Sequence, residues 1–360
     1  MISLVSTIFN DRTGLEGFFS AMAKQTRVPD EIIITDAGSN DGTWELMQAE
    51  EARTDRPWKF RALQEKRCNC ARGRNLAIEQ ARGEIIVSTD IGCEWDPEWL
   101  AELAAPLEAD TEVELVIGSW AVKREDLHGV CAQVEWALKG DQRLEATAES
   151  YSSSRSIAYR KNTWQALGRY PEDLTLSADD AVFHYLIEQA GVRRVGAPKI
   201  LCYWHRHESL KGFFKEAYRY GLGGGEAGIE RKDVALIGGR MAMETVCFVF
   251  GLFCLWPKVP CAPWIGIALL AVAAISVLGK IFKMMKAIAR LRAEGVSHPL
   301  LRLLVFNYGS KWHWLRGHVI GWRQGHSRCQ DCRRRLREMT PATYQSRKGQ
   351  ANASRVAIPK

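Results

Sequence analysis

The sequence predicts an α/β fold, in which a parallel sheet is flanked by helices and followed by a hydrophobic helical hairpin. Three observations predict it. Short apolar runs alternate with helical patterns through the first part of the chain, as in βαβ units. The run Ile85–Val87 has the character of a strand buried on both faces. Val259–Gly279 is an uncharged run of 21 residues, which is long enough to cross a bilayer.

The strands and helices are predicted in regular succession from the first residues onward. Helical patterns fill most of the intervals between strands, and a further helix opens at Asp179 and Asp180, whose charges suit the first turn of a helix. We interpret Met1–Phe9 as a strand and not as a secretion signal. Apolar runs that end in polar or turn-forming residues predict strands at 2–9, 31–35, 59–64, 85–87, 113–120 and 192–195.

Basic residues are concentrated at the end of the chain. Residues 280–360 carry 18 basic and 3 acidic side chains, a balance of +15 in a chain whose total is +7, so residues 1–279 have a balance of −8. The basic character therefore belongs to the tail and not to the α/β part. Ten cysteines without framework-like spacing favour a reducing compartment, the cytoplasm.

A carboxylate, Asp90, follows the buried run Ile85–Val87. Ligands of open α/β sheets bind beyond the carboxyl ends of the strands. A lone carboxylate at that place suits Mg²⁺ or Mn²⁺, which takes its other oxygens from phosphates and water. The alternative is that Asp90 caps the helix that begins near Asp96 and Pro97.

A second carboxylate, Asp36, ends the strand at 31–35 and begins a small polar loop with two glycines. There it could accept hydrogen bonds from a ribose or a nucleobase, and the alternative is an Asx-turn. Arg72 and Arg74 lie at the entrance of the helix that follows the third strand. Backbone N–H groups already favour anions at a helix start, so a diphosphate bound there would gain charge-assisted hydrogen bonds.

Together these blocks resemble the family 2 glycosyltransferases, which have the GT-A fold. The resemblance implies a Rossmann-like sheet that is mixed but mostly parallel and is flanked by helices. The resemblance lies in Ser3–Asn10, Asp36–Thr43, Ala71–Asn75 and Thr89–Cys93, and it extends from the start of the chain to about Gly225. It implies an enzyme that moves a sugar from a sugar nucleotide, with one half of the domain for the nucleotide and the other for the acceptor.

The resemblance also implies roles for residues that bind the donor. Asp36 would contact the base of the sugar nucleotide, and Arg74 would lie near the base or the diphosphate. Thr7 and Asn10 would belong to the substrate-binding loop after the first strand, although the usual Pro-Thr of the family is Thr7-Ile8 here, so the hydroxyl is shifted by one place.

Asp90 would be the first acid of the Asp-x-Asp motif with which the family binds its metal. The second acid is replaced by Gly92, which leaves one protein carboxylate for the cation. Glu94 or Asp96 could compensate for the missing acid. The implied cofactor is Mg²⁺ or Mn²⁺.

The pair Asp179-Asp180 stands where the family has its two catalytic acids, of which the second is the usual base. Inverting transfer needs a carboxylate within hydrogen-bond reach of the acceptor hydroxyl, so we assign Asp180 as the base. The structural alternative is that both carboxylates simply complement the helix dipole.

Four further residues complete the predicted site. Arg155 is a candidate contact for the acceptor or a phosphate, or else a structural ion-pair residue. Trp204, His205 and Arg206 form a cluster with His207. His205 or His207 could complete the metal shell or hold the diphosphate, since imidazole and guanidinium groups both suit those tasks. The alternative is that these are surface or packed residues.

The apolar part of the tail predicts attachment to a membrane. A hairpin that turns at Pro257–Pro260 returns the basic tail to the cytoplasm, in agreement with the positive-inside tendency. A single span and a buried hairpin of a soluble domain are the alternatives. Leu300–Trp322 mixes apolar, aromatic and basic residues and is suited to anionic lipid. Arg333–Arg335 is interpreted as a solvated or lipid-facing run, and the last twenty residues as disordered.

These observations lead to one expectation for the whole chain. The predicted domains are a GT-A glycosyltransferase domain at 1–230, a membrane hairpin at 234–282, and basic amphipathic helices with a disordered tail at 283–360. The catalytic domain would lie on the cytoplasmic side of the cell membrane and use a sugar-nucleotide donor, a glycan or lipid-linked acceptor, membrane lipids and no nucleic acid. Two alternatives remain: a non-catalytic scaffold that binds sugar nucleotides, and a tail that binds nucleic acid.

Overall fold

The computed structural model describes residues 1–139, 146–256 and 263–356. Its strands are β1 (Ile2–Ile8), β2 (Glu31–Asp36), β3 (Lys59–Gln64), β4 (Ile85–Ser88), β5 (Cys93–Trp95), β6 (Leu115–Ala121), β7 (Ile157–Arg160) and β8 (Arg194–Trp204). Its helices in the first two thirds of the chain are α1 (Arg12–Met22), α2 (Thr43–Glu51), α3 (Cys70–Gln80), α4 (Trp99–Ala109), α5 (Val130–Lys139), α6 (Lys161–Leu167), α7 (Asp179–Ala190) and α8 (Leu210–Ala227). The remaining helices are α9 (Arg231–Cys254), α10 (Pro263–Lys283), α11 (Met285–Ala293), α12 (Pro299–Arg328), α13 (Gln330–Glu338) and α14 (Pro341–Val356).

The strands form one mixed sheet in the order β3-β2-β1-β4-β7-β6-β8-β5. The neighbours from β3 to β4 are parallel, as are β6 and β8, whereas β7 is antiparallel to both of its neighbours and β5 is antiparallel to β8. The mixed, mostly parallel sheet expected from the sequence is therefore confirmed.

The central strands are buried because helices cover both faces of the sheet. Every residue of β2 and of β4 is buried, as the continuous apolar run in β4 predicts. Phe18 of α1 and Trp99 of α4 pack in the same core cluster as Ile32 of β2 and Val87 of β4. This packing holds the carboxyl ends of β1, β2 and β4 at one edge, where their loops begin.

The chain divides into two compact units. The first comprises Met1–Asp126, Gln142–Arg206 and Arg323–Lys360, and the second comprises Leu127–Asp141 and His207–Trp322. The first unit contains the whole sheet. The domain limits predicted from the sequence remain a prediction.

The second unit contains two helices that are long and apolar enough to cross a bilayer, α9 and α10. They pack against each other in antiparallel directions, since Gly251 lies against Gly266 while Arg240 bonds to Ser276. Most of their large apolar side chains are exposed, as a lipid-facing pair requires. The predicted turn at Pro257–Pro260 lies outside the described residues.

The prediction of a disordered tail is wrong for residues 341–356, which form α14. This helix packs against α6 and α7. Tyr344 is fully buried, and its hydroxyl donates to the buried Glu114 carboxylate over 2.6 Å. Lys348 bonds to the same carboxylate. This polar segment is ordered because the ring of Tyr344 and the carboxylate of Glu114, directly before β6, anchor it.

The run Arg333–Arg335 is likewise only partly solvated. Arg333 is buried, and Arg335 donates to the carbonyl oxygen of Gly168 and pairs with Asp331. Arg334 is exposed. Two of the three guanidinium groups of this run are therefore held by contacts within the first unit.

Candidate active site

The predicted site residues begin at the loops that leave β1, β2 and β4. Asp36 is the last residue of β2 and pairs with Ile8 of β1, and Asp90 follows β4 by two residues. Because β2 and β4 flank β1 in parallel, both carboxylates lie at the same edge of the sheet.

Asp36 organises the loop that follows it. Its fully buried carboxylate accepts hydrogen bonds from the backbone N–H groups of Gly38 and Ser39, from the Ser39 hydroxyl over 2.5 Å, and from Gln64 Nε2 over 2.8 Å. This is the Asx-type arrangement considered as an alternative. A nucleobase would have to replace one of these donors in order to reach Asp36.

Asn10 joins the loop after β1 to the loop after β2. Its backbone N–H donates to the Ser39 hydroxyl over 2.8 Å, and its side-chain oxygen accepts from the Asn40 N–H over 2.9 Å. Asn10 has a φ of 51°, a left-handed conformation that asparagine tolerates better than most residues. The neighbouring Thr7 packs against α3, since a Cβ on Gly73 would lie 2.6 Å from the Thr7 methyl carbon.

Arg74 brings two distant carboxylates together. One guanidinium nitrogen bonds to Asp179, and the other donates to Asp90 Oδ1 over 2.7 Å. Burial acts to lower the pKa of Arg74, but the charges of Asp179 and Asp90 outweigh it and raise the pKa well above its usual value. A buried guanidinium needs such partners, because an unpaired charge in the interior is costly.

Arg155 is the second arginine that approaches Asp90. Its Nε lies 3.7 Å from Asp90 Oδ2, and its guanidinium carbon lies 3.8 Å from the centre of the Trp204 ring. Trp120 packs edge-on against Trp204 and also lies beneath Arg155, at 5.6 Å. The aromatic faces hold the guanidinium by cation–π contact.

Asp180 differs from its neighbour Asp179 in its surroundings. Burial and the adjacent charge of Asp179 raise the pKa of Asp180 to about 6, although Arg155 and Arg74 oppose the shift. Asp180 also interacts with the hydroxyl of Tyr151. Burial and the charges of the two aspartates raise the pKa of this tyrosine. A carboxylate with a pKa near neutrality is suited to accept a proton.

Tyr151 and Trp120 were not among the residues predicted from the sequence. The only signal for Tyr151 was the polar run Ser152–Arg155 that follows it, which is unusual directly before a buried strand. Trp120 lies within a predicted strand, where an aromatic residue is ordinary.

A divalent cation would find one preformed protein ligand here. The described residues include no group of three His, Cys, Asp or Glu side chains that could hold a metal ion. The structure pairs His205 with Glu94, at 3.1 Å, and not with Asp90. Lys123 also donates to Glu94, and Asp96 accepts from a tyrosine hydroxyl, so neither acid compensates for Gly92 in this arrangement.

Asp90 itself fits a metal in other respects. Its side chain is about two-fifths exposed, at 39%. A Cβ on Gly92 would meet no atom within 4 Å, so the space beside the carboxylate is open. The remaining ligands would have to be oxygens of a bound diphosphate and of water, which is common for Mg²⁺.

The structure thus brings five predicted residues into one cluster, which we name the charge cluster: Arg74, Asp90, Arg155, Asp179 and Asp180. Trp204 adjoins it through Arg155, and Arg206 lies over the same ring, at 4.0 Å from its centre. Thr7 and Asp36 lie near the ends of β1 and β2, and Asn10 lies in the loop after β1, at the same sheet edge. His205 stands apart from Asp90, in its pair with Glu94.

Comparison with known proteins identifies the first part of the chain. Residues 3–135 match the family described as glycosyl transferase family 2. This stretch is a family 2 glycosyltransferase domain. EpsH of Bacillus subtilis (strain 168), which is named as a glycosyltransferase, is 29% identical over 125 residues, or 35% of this chain and 35% of that protein. The chain therefore spans about a third of the length of this curated relative.

Solved structures resemble the chain over a larger part of its length. A mannosyltransferase from Pyrobaculum calidifontis, PcManGT, in complex with GDP-Man and Mn²⁺, is 19% identical with a TM-score of 0.51 and covers 91% of this chain and 87% of its own. TarS 1–349 of S. aureus in complex with UDP is 15% identical with a TM-score of 0.46, covering 90% of this chain and 91% of its own. The first similarity confirms that the family 2 domain has the predicted GT-A-like fold.

Proposed function

We propose that this protein transfers a sugar from a nucleoside diphosphate sugar to an acceptor hydroxyl, with inversion at the anomeric carbon. The product would be a cell-surface glycan or a glycolipid. The observation that carries the proposal is the charge cluster, in which carboxylates from two separate parts of the chain surround two arginines at the edge of a family 2 domain.

The donor is assigned to the loops after β1 and β2. Thr7, Asn10 and Asp36 would bind the nucleoside, because they lie at the carboxyl ends of the adjacent parallel strands β1 and β2. The similar mannosyltransferase holds GDP-Man, a nucleoside diphosphate sugar. Base recognition by Asp36 would come at the expense of one of its hydrogen bonds to Ser39 or Gln64.

We assign to Asp180 the removal of the proton from the acceptor hydroxyl. The raised pKa of Asp180 lets its carboxylate accept a proton near neutral pH. Asp179 forms an ion pair with Arg74 and would serve to position Asp180. Tyr151, which contacts Asp180, would orient its carboxylate toward the acceptor hydroxyl.

Negative charge develops on the leaving diphosphate as the glycosidic bond breaks. Arg155 and Arg74 are the cations of the cluster that would stabilise this charge, with Arg206 beside them. Mg²⁺ or Mn²⁺ held by Asp90 would supply further positive charge at the diphosphate. On the arrangement described above, His205 would not be among its ligands.

The acceptor is proposed to be amphiphilic, such as a lipid-linked glycan. This rests on the two apolar helices, α9 and α10, which suit attachment to the cell membrane. The basic balance of residues 280–360 favours the cytoplasmic side for the catalytic domain.

One specific observation favours a second candidate function, a membrane-attached scaffold that binds sugar nucleotides without transfer. Asp90, the first acid of the family's metal motif, is paired with Arg74 and Arg155, and Gly92 replaces the second acid. A site that binds a donor but does not activate it would have these features.

The deciding experiment uses the full-length protein in detergent with a panel of UDP- and GDP-sugars. Thermal stabilisation by a sugar nucleotide would identify the donor, and release of nucleoside diphosphate, with MnCl₂ or with EDTA, would measure its activation. We expect stabilisation by one donor and turnover that Asp180→Asn abolishes. Stabilisation without any release of nucleoside diphosphate, with metal present, would support the scaffold, and no stabilisation by any sugar nucleotide would contradict both candidates.

A further inference from the structure

The second unit contains a cavity of about 460 Å³ among its helices α5, α9, α10 and α12. Three apolar side chains line one part of it, and no acidic residue is among the described side chains that line it. The polar lining consists of Arg240, Lys280, Lys283, Asn307, Ser310 and Lys311. We name it the cationic cavity.

The positive charge of the cationic cavity is only partly neutralised. Among the described residues, one carboxylate, that of Glu244, pairs with the cations of the cavity: with Lys280 over 2.6 Å and with Arg240 over 3.3 Å. Lys283 and Lys311 form no ion pair with any of the residues that the structure describes. Within the described lining, the positive charges therefore outnumber the carboxylates that pair with them.

The surroundings of Lys311 are consistent with this excess. Burial, followed by the charges of Lys280 and Arg240, lowers the pKa of Lys311. Lys311 also lines a smaller adjoining cavity of about 260 Å³, and the acidic side chains Glu135 and Glu216 face that cavity and not the larger one. An anion in the cationic cavity would relieve the repulsion among its lysines.

The position of the cavity suggests where the anion comes from. Lys280 and Lys283 lie in the last turn of α10, and because α9 runs antiparallel, Arg240 lies at the same end of the pair. Between Arg240 and the end of α9, and between the start of α10 and Lys280, the only charged side chain of the described residues is Glu244. In a bilayer this end would lie at the level of the lipid headgroups, where basic side chains meet anionic lipid.

We propose that the cationic cavity binds the phosphate of an anionic phospholipid headgroup. Lys283 and Lys311 would donate charge-assisted hydrogen bonds to the phosphate, with Asn307 and Ser310 as further donors. The apolar part of the lining, which includes Met284 and Phe306, would contact the first carbons of the acyl chains. This site is independent of glycosyl transfer, since none of its residues belongs to the charge cluster.

The test measures retention of phospholipid by the full-length protein in detergent, using native mass spectrometry with phosphatidylglycerol and phosphatidylcholine. We expect selective retention of phosphatidylglycerol by the wild type. The double variant Lys283→Gln/Lys311→Gln should weaken it by about fivefold for each lysine removed, the usual contribution of one lysine at an anionic lipid surface. Lys286→Gln, which removes an exposed lysine of α11 outside the cavity, is the matched control.

Three outcomes would overturn the proposal. They are equal retention of the two lipids by the wild type, an equal loss in the Lys286→Gln control, and displacement of phosphatidylglycerol by millimolar inorganic phosphate, which would identify a soluble anion as the ligand. Lys283→Arg/Lys311→Arg keeps both charges and should retain the lipid, which separates loss of charge from loss of folding.

Discussion

Asp179 and Asp180 are adjacent in the chain, yet their surroundings assign them different chemistry. Asp179 is nearly buried and pairs with Arg74, so its charge is compensated. Asp180 keeps a raised pKa because burial and Asp179 disfavour its ionised form. A carboxylate whose pKa is raised toward neutrality by its surroundings is suited to general base chemistry.

Replacing Asp180 by Asn should lower the rate of sugar transfer by about 10²- to 10⁴-fold, the usual contribution of a general base. Donor affinity should change little, because the contacts assigned to the donor lie on other loops. Steady-state kinetics and donor titration measure the two effects. Retention of full activity would contradict the assignment of Asp180 as the base.

The activity should fall as the pH decreases through about 6. A base must be ionised, and burial raises the pKa of Asp180 to about 6, so its protonated and inactive fraction dominates below that pH. A profile of kcat/KM against pH tests this. An acidic limb near the ordinary carboxyl value of about 4 would show that another group controls the rate.

Gly92→Asp should increase the affinity for Mn²⁺, by about tenfold or more if the new carboxylate reaches the cation together with Asp90. The substitution meets no steric obstacle, since no atom lies within 4 Å of a Cβ at this position. Calorimetric titration with MnCl₂ measures it. Gly92→Asn has the same size without the charge and should leave the affinity unchanged; an equal effect of both variants would contradict the metal assignment of Asp90.

At the scale of single elements, α14 shows how a polar helix is held. Tyr344 fills a buried site against α6 and α7 and bonds to Glu114, while most of its neighbours along the helix are exposed. The apolar packing of the helix therefore depends mainly on Tyr344, with Lys348 as a polar contact to the same carboxylate, unlike that of α4, which buries five residues.

Tyr344→Ala should release α14 and cost about 3–5 kcal/mol, as expected for truncation of a buried aromatic side chain. The readouts are the melting temperature and the rate at which trypsin removes the tail. Gln345→Ala, at an exposed position of the same helix, should leave both unchanged. Equal trypsin resistance of Tyr344→Ala and the wild type would mean that other contacts hold the helix.

At the level of the whole molecule, one chain combines an α/β sheet with a pair of apolar helices. Most large apolar side chains of α9 and α10 are exposed, and large exposed apolar surfaces are typical of membrane or protein contacts. Close contact between Gly251 and Gly266 allows the two helices to approach each other, as small residues do in membranes.

Ile275→Lys should weaken membrane insertion by about 2.5–3.5 kcal/mol, the cost of a lysine at the centre of a spanning helix. Ile275 is 69% exposed, so the substitution removes little internal packing. Extraction of membrane fractions with sodium carbonate measures the effect. Gln48→Lys on α2 is the control, and extraction of the wild type by carbonate alone would indicate a peripheral protein.

Six of the eight strands could be predicted from the sequence because their signals are local, whereas the short strands β5 and β7 were not among them. The run in β4, the polar loop after Asp36 and the caps of the following helices each occupy a few consecutive residues. The positions of Asp36 and Asp90 at one sheet edge follow from parallel strands alone. The same local rules led to an error for α14, whose composition is that of a disordered segment.

The α/β class, the family resemblance, the apolar helices and the residue types available for chemistry can all be read from the amino-acid order. Which of these groups meet depends on the folded packing of the chain. Arg74 pairs with Asp179, 105 positions away, and Tyr344 with Glu114, 230 positions away. His205 joins Glu94 and not Asp90. Such contacts depend on how strands and helices pack, and no periodicity along the chain encodes the partner of a buried charge.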